Sequence, residues 1–253
     1  MLIILFSLTL VSTVVYSISL KQIGSRKEDL KLLAAEEKML DLEEAISAVA
    51  WSPGGSRTLA FSDYGGQLRV EPDENSLTLN ITMGNTTVTV FDSATGRFVY
   101  ELPSTVVGHY GVWLRGDGRS IVNQSSAYQA QMIIEKGSKH EELVAGYRLL
   151  ASSSVGDLVS GRRVNNIRVY IINLNGSQQL QSGGEFHVKV VCANVSIQVH
   201  SNDLNASVTT ASVKAVLGGE EDTVVVPLTL GPSGSTVKVE VVVSRIRIEG
   251  VRV

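Results

Sequence analysis

Apolar and polar side chains divide the chain into three stretches. Met1 to Leu20 contains no charged residue. As a helix rising about 1.5 Å per residue it spans roughly 30 Å, the hydrocarbon thickness of a bilayer. Lys21 to Ala50 changes abruptly, with twelve charges in the twenty-four residues up to Glu44, no proline, and an abundance of the strong helix formers Leu, Ala, Glu and Lys. Leu30, Leu33, Leu40 and Ile46, with Ala34, Leu42, Ala45 and Val49 nearby, recur near helical spacing and predict one apolar stripe, interrupted by Glu37 and Asp41. Gly24-Ser25 is the expected kink between the apolar and charged halves. The simplest prediction is one helix of about fifty residues, some 75 Å long. It should stop near Ala50, because in Trp51-Ser-Pro-Gly-Gly the residue before proline is pushed out of the α-region and the glycines admit positive φ.

After Trp51 the period becomes two. Arg57–Ser62, Gln67–Glu71 and Ser76–Thr82 alternate apolar with polar and are separated by the turn signals Asp63-Tyr-Gly-Gly and Glu71-Pro-Asp-Glu-Asn. Further strands are expected at 86–91, 97–102, 111–114, 130–135, 142–150, 164–174, 185–192, 195–200, 207–216, 223–230 and 235–253. Many short strands with frequent turns predict an α+β chain whose β-rich head, 51–253, is an antiparallel sandwich of Ig-like type or a pair of small sheets. The serine-rich run at 152–163 is the best internal boundary, a long loop being equally consistent. In the last strand Val237, Val239, Val241 and Val243 share one face, which suits a central strand or an edge strand offered to a neighbouring subunit.

Composition narrows the function. A net charge of −3 gives no electrostatic footprint for nucleic acid, and the single Cys192 excludes an intramolecular disulfide framework and a cysteine-rich zinc module. Six of the eleven asparagines begin Asn-x-Ser/Thr sequons, at Asn80, Asn85, Asn123, Asn175, Asn194 and Asn205, where the Ser/Thr content would give about two by chance. The excess points to N-linked glycans and hence to a compartment reached by export. No chemistry competes with that signal. His109, His140, His187 and His200 match no zinc-binding helix, there is no G-x-S-x-G elbow, and the glycines fit neither a P-loop nor a dinucleotide fingerprint. Gly218-Gly-Glu-Glu-Asp lacks the alternating ligands of a calcium loop and is expected to be a solvated hairpin. No catalytic residue, metal or cofactor is expected.

The apolar start lacks a signal peptide's basic n-region and an A-x-A-like cleavage site, a degenerate signal ending around Ser17 and Ser19 being the alternative. Lys21, Arg26, Lys27 and Lys31 would hold the following side in the cytoplasm, whereas the sequons require export. A basic leader removed in front of the apolar helix would reconcile the two. Within that helix Thr9, Thr13 and Ser17 form a stripe of small residues, either a surface for close helix approach or side chains merely tolerated in a lone anchor.

Taken together, the uncharged helix, its charged continuation and the junction from Ala45 to Ser62 resemble archaeal type IV pilins and pilin-like surface proteins. The likeness is architectural and covers the first sixty or so residues well. It implies a processed chain in which 1–20 sits in the membrane before assembly and in a filament core afterwards, 21–50 continues the helix, and 51–253 is a glycosylated head. It also implies a homopolymer built by an assembly ATPase and a platform protein, located in an extracellular filament and used for adhesion to surfaces or other cells. Leu5, Thr9, Thr13 and Ser17 are then candidate helix-to-helix contacts. Leu5 stands where bacterial pilins carry a glutamate, as is usual in archaeal members, and the glycine-rich start of archaellins is absent. A permanently anchored or S-layer-associated β-sandwich is the alternative, and an exported hydrolase a distant third.

Overall fold

A computed structural model of the protein describes residues 2–106, 108–123 and 128–251, with side chains from Leu10 onward except Ser25. One helix, α1 (Leu2–Val49), precedes a body of strands: β1 (Ser56–Phe61), β2 (Gln67–Met83), β3 (Thr86–Glu101), β4 (Trp113–Arg115), β5 (Ile121–Asn123), β6 (Ala130–Lys136), β7 (Glu141–Tyr147), β8 (Leu149–Val159), β9 (Arg162–Asn173), β10 (Leu180–Gly183), β11 (Phe186–Leu204), β12 (Thr210–Leu217), β13 (Glu220–Pro227) and β14 (Ser235–Val251). The chain is therefore α+β, with a single amino-terminal helix that passes through Gly24 and Ser25 without interruption.

The strands form two sheets. One has the order β1-β11-β14-β9-β8-β5, the other β13-β12-β2-β3-β7-β6-β4, with β10 alongside the start of β2. Most neighbours are antiparallel, but β14 runs parallel to β9, and β5 parallel to β8. Sheets of six and eight strands with parallel pairings depart from the smaller all-antiparallel layers of an Ig-like domain. β14 lies between β11 and β9, so the valine-rich last strand is central and is not an edge available for augmentation.

Several expected breaks are strand. Gln67–Glu71 and Ser76–Thr82 join into the 17-residue β2, which carries Pro72 where its pairing with β3 is interrupted between Glu71 and Asn75. A proline at an unpaired bulge forfeits no ladder hydrogen bond, which is why the turn signal misleads. The serine run likewise lies in β8, and Ser160-Gly161, both at positive φ, turn it directly into β9 as a two-residue hairpin. The body's interior does divide, but across the long strands. Leu77, Leu79 and Ile81 of β2 join Val237, Val239, Val241 and Val243 of β14 in a distal core, while Leu68 and Val70 of β2 and Ile246 and Ile248 of β14 belong to a proximal one.

The proximal core receives the helix. Leu32, Ala35, Met39, Leu42, Ile46 and Val49 are buried there against Phe98, Tyr100, Met132, Tyr147, Val190 and Ile248. Their spacing of three and four residues is an unbroken helical stripe. It coincides with the expected stripe at Leu42, Ala45, Ile46 and Val49 and departs from it one turn and more before them, where Leu30 and Leu33 lie on the solvent side, 66% and 59% exposed. Apolar residues occupy both faces of this half of the helix, and docking selects between them.

Candidate functional site

Two features stand apart from the packed body: the free portion of α1 and the exposed asparagines. Three contacts set the first. At the carboxyl end of the helix, the Ala50 carbonyl accepts a hydrogen bond from the buried Ser244 hydroxyl of β14, and the buried Cys192 sulfur lies 3.4 Å from the same oxygen. Two turns earlier the buried Glu43 carboxylate accepts hydrogen bonds from Arg115 of β4 and, at 2.7 Å, from Ser47. The buried Tyr147 hydroxyl donates to the Glu43 carbonyl at 3.4 Å, and burial together with the neighbouring Glu43 charge pushes that phenol well above its ordinary range. A buried carboxylate is tolerated only when paired and hydrogen-bonded, so Glu43 and Arg115 fix both the depth and the rotation of the helix.

The third contact is a loop. The buried Glu141 carboxylate accepts backbone N–H groups of Gly108 at 2.6 Å and His109 at 3.0 Å, and Thr105 donates to Glu28 on the helix. The loop between β3 and β4 is thereby stapled to β7 on one side and to α1 on the other. It is the outermost support the helix receives: among the described side chains before Glu28, every one is exposed.

Beyond that point Leu10, Val11, Val14, Val15, Tyr16, Ile18, Leu20 and Ile23 are each 51–66% exposed. Of the residues expected to mediate helix contacts, Thr13 and Ser17 are exposed, while the side chains of Leu5 and Thr9 lie outside the described residues. Among the described residues no helix is long and apolar enough to cross a membrane. The first nine residues of the stretch on which that expectation rests, Met1 to Thr9, are outside the described side chains.

The asparagines sort by role. Asn85, Asn123, Asn194 and Asn205 are exposed, and Asn80 and Asn175 half-buried. Asn85 sits between β2 and β3, Asn194 at the bulge of β11 and Asn205 just past the end of that strand, while Ser125 of the Asn123 sequon lies outside the described residues. Asn80 lies within β2, its side-chain oxygen accepting from Thr89 at 2.7 Å. The five asparagines outside sequons are buried or half-buried. Two of them work as braces: Asn165 exchanges hydrogen bonds with the Thr229 backbone at 2.9 and 2.8 Å, and Asn173 of β9 donates to the Ala94 carbonyl of β3, tying one sheet to the other. Every exposed asparagine among the described residues thus begins a sequon.

The histidines are not brought together. His109 is in the loop before β4, His140 between β6 and β7 with Nε2 3.7 Å from Glu101, and His187 and His200 near opposite parts of β11. Gly218-Gly219 turns β12 into β13, where Asp222 accepts the Ser120 N–H at 2.7 Å and Glu221 pairs with Lys214. Those carboxylates are spent on separate partners. A surface recess of about 410 Å3 holds Trp113, Arg115, Asp117, Arg119, Tyr128 and Arg148. Hydrogen bonding from Arg119, with Arg148 nearby, holds the Asp117 carboxyl well below the usual carboxylate range. This sequence matches no family model, no curated protein and no solved structure.

Proposed function

We propose that the chain is the structural subunit of an extracellular filament of the type IV pilus kind, polymerising through the amino-terminal half of α1 and presenting a glycosylated, sandwich-like β head. The observation that carries this reading is the contrast along one continuous helix, packed into the head from Leu32 onward and without cover from Leu10 to Ile23. Burying an aliphatic side chain contributes about 1.5–3 kcal/mol, so covering the exposed apolar residues of that segment is worth on the order of 10 kcal/mol. Lipid can supply the cover before assembly, and other copies of the same helix after it. Glycans on the exposed asparagines would then sheath the filament and form its contact with surfaces or other cells. Subunits would be delivered to the filament by an assembly ATPase and its membrane platform.

Electron microscopy of material sheared from cells tests the proposal. Filaments labelled by antibody to this chain support it. A chain that stays with membranes and never enters filaments sinks it in favour of a permanent anchor. Mass spectrometry tests the outer surface separately: Asn85, Asn123, Asn194 and Asn205 should be occupied, and Asn80 and Asn175, half-buried, occupied less. Bare asparagines at the four exposed sites would remove the glycan sheath from the reading.

A further inference from the structure

The charged half of the helix has a second face. On a helical projection Ile23, Arg26, Lys27, Leu30, Ala34, Glu37, Asp41, Glu44 and Ala48 fall within about 60° of one line, opposite Leu32, Met39 and Ile46 in the proximal core. Of these, Ile23, Arg26, Lys27, Leu30, Glu37, Glu44 and Ala48 are exposed, and Ala34 and Asp41 half-exposed. The face therefore carries a basic band at Arg26 and Lys27, an apolar patch at Leu30 and Ala34, and an acidic band from Glu37 to Glu44. Only Lys38, which pairs with Asp41 at 2.7 Å, dilutes the acidic band.

Resting on the filament reading above, we propose that this face binds the same face of a second copy, parallel and shifted along the axis so that the basic band of one helix meets the acidic band of the other. The bands are about 10 to 18 residues apart, which sets the shift at roughly 15–27 Å at 1.5 Å per residue. Two copies in register would set Arg26 and Lys27 against their own equivalents and Glu37 and Glu44 against theirs, and like charges at close range are repulsive. A shift of 14 residues is close to four whole turns, so it exchanges like-charge contacts for opposite ones while keeping the same faces together. An antiparallel pair would also match the bands. It would, however, place the uncovered apolar segment of each copy beside the other's polar head and leave it without apolar cover. The parallel arrangement continues that segment into a shared apolar surface, and the exposed Ile23 and Leu30 extend it toward the head.

Cysteine crosslinking in assembled filaments of the full chain tests the shift, since the native Cys192 is buried. A chain carrying both Lys27→Cys and Asp41→Cys is treated with a bismaleimide too short to join the two positions within one helix, which stand roughly 21 Å apart. The expected result is a ladder of dimers, trimers and higher species on a denaturing gel, with each single-cysteine chain at least tenfold less crosslinked. Efficient dimers from Lys27→Cys alone would show in-register packing, and a double variant that stops at dimers would show antiparallel pairing; either overturns the proposal. So do filaments in which the double variant stays monomeric, although these leave the filament reading standing. A chain that never forms filaments removes both. As a second arm, Arg26→Glu with Lys27→Glu should lower filament yield at least tenfold, and adding Glu37→Lys with Glu44→Lys should restore it. Failure of that restoration while the monomer remains folded also overturns the proposal.

Discussion

The two halves of α1 are one uninterrupted helix with opposite relations to the rest of the molecule. From Leu32 to Val49 one face is sealed in the proximal core and the end is anchored by Glu43–Arg115 and by Ser244. From Leu10 to Ile23 the described apolar side chains have no cover. Helical propensity does not separate the halves, because a helix in a protein draws most of its stability from the surface it packs against. What separates them is where that surface is found: within the same chain for the inner half, outside it for the outer half.

Substitutions in the two halves should therefore not exchange phenotypes. The largest effect is expected from Val15→Glu, which puts a charge on the uncovered segment. It should abolish filaments in electron micrographs while leaving the thermal unfolding of the detergent-solubilised head unchanged, and a destabilised head would break the comparison. Leu42→Ala should do the reverse. Leu42 is fully buried, and deleting such a side chain costs about 2–5 kcal/mol, to be read from chemical denaturation of the head. Arg115→Ala comes next. It leaves Glu43 buried without its cation, and a broken buried pair costs about 3–5 kcal/mol, toward the low end here because Arg115 is partly exposed. Restoration of stability by adding Glu43→Gln would show that the uncompensated charge, rather than lost packing, is responsible.

The same division explains what could be read from the chain. The helix and its end were legible because Trp51-Ser-Pro-Gly-Gly is a local stop, and local backbone chemistry needs no tertiary partner. Its buried face was legible only toward that end, at Leu42, Ala45, Ile46 and Val49. Leu30 and Leu33 were the natural choice by type, whereas Leu32, Ala35 and Met39 are the residues that dock, and both sets fit the helical period. Only the shape of the head decides between them. Pro72 and the serine run were read as punctuation although bulges absorb both within long strands, and the parallel pairing of β14 with β9 joins segments some seventy residues apart that carry no local signal of each other. Of the functional features, the sequons were visible as motifs, and the structure adds that every exposed asparagine among the described residues begins one. The braces Glu43, Glu141 and Ser244 were missed. A lone acid on an amphipathic helix or a serine in a valine-rich strand carries no mark of burial until its partner is known.

Glu36 gives the finest test of the inner half. It sits half-buried on the docked stretch, where burial raises its pKa above the ordinary value of 4.5 and His109 opposes the rise. For an acid raised in this way the folded state holds its proton more tightly than the unfolded chain does. Stability is therefore lost as pH rises from 4.5 through the folded pKa and regained on acidification. Glu36→Gln removes the titration, so it should raise the melting temperature slightly at pH 7, and the difference from the native chain should shrink as pH falls toward 4.5. Filament yield should not change, because Glu36 is turned away from the band of Glu37, Asp41 and Glu44 on the outer face. An equal melting difference at both pH values would mean that the carboxylate is not penalised by docking. That result would place the boundary between the covered and uncovered halves nearer to Met39 than to Leu32.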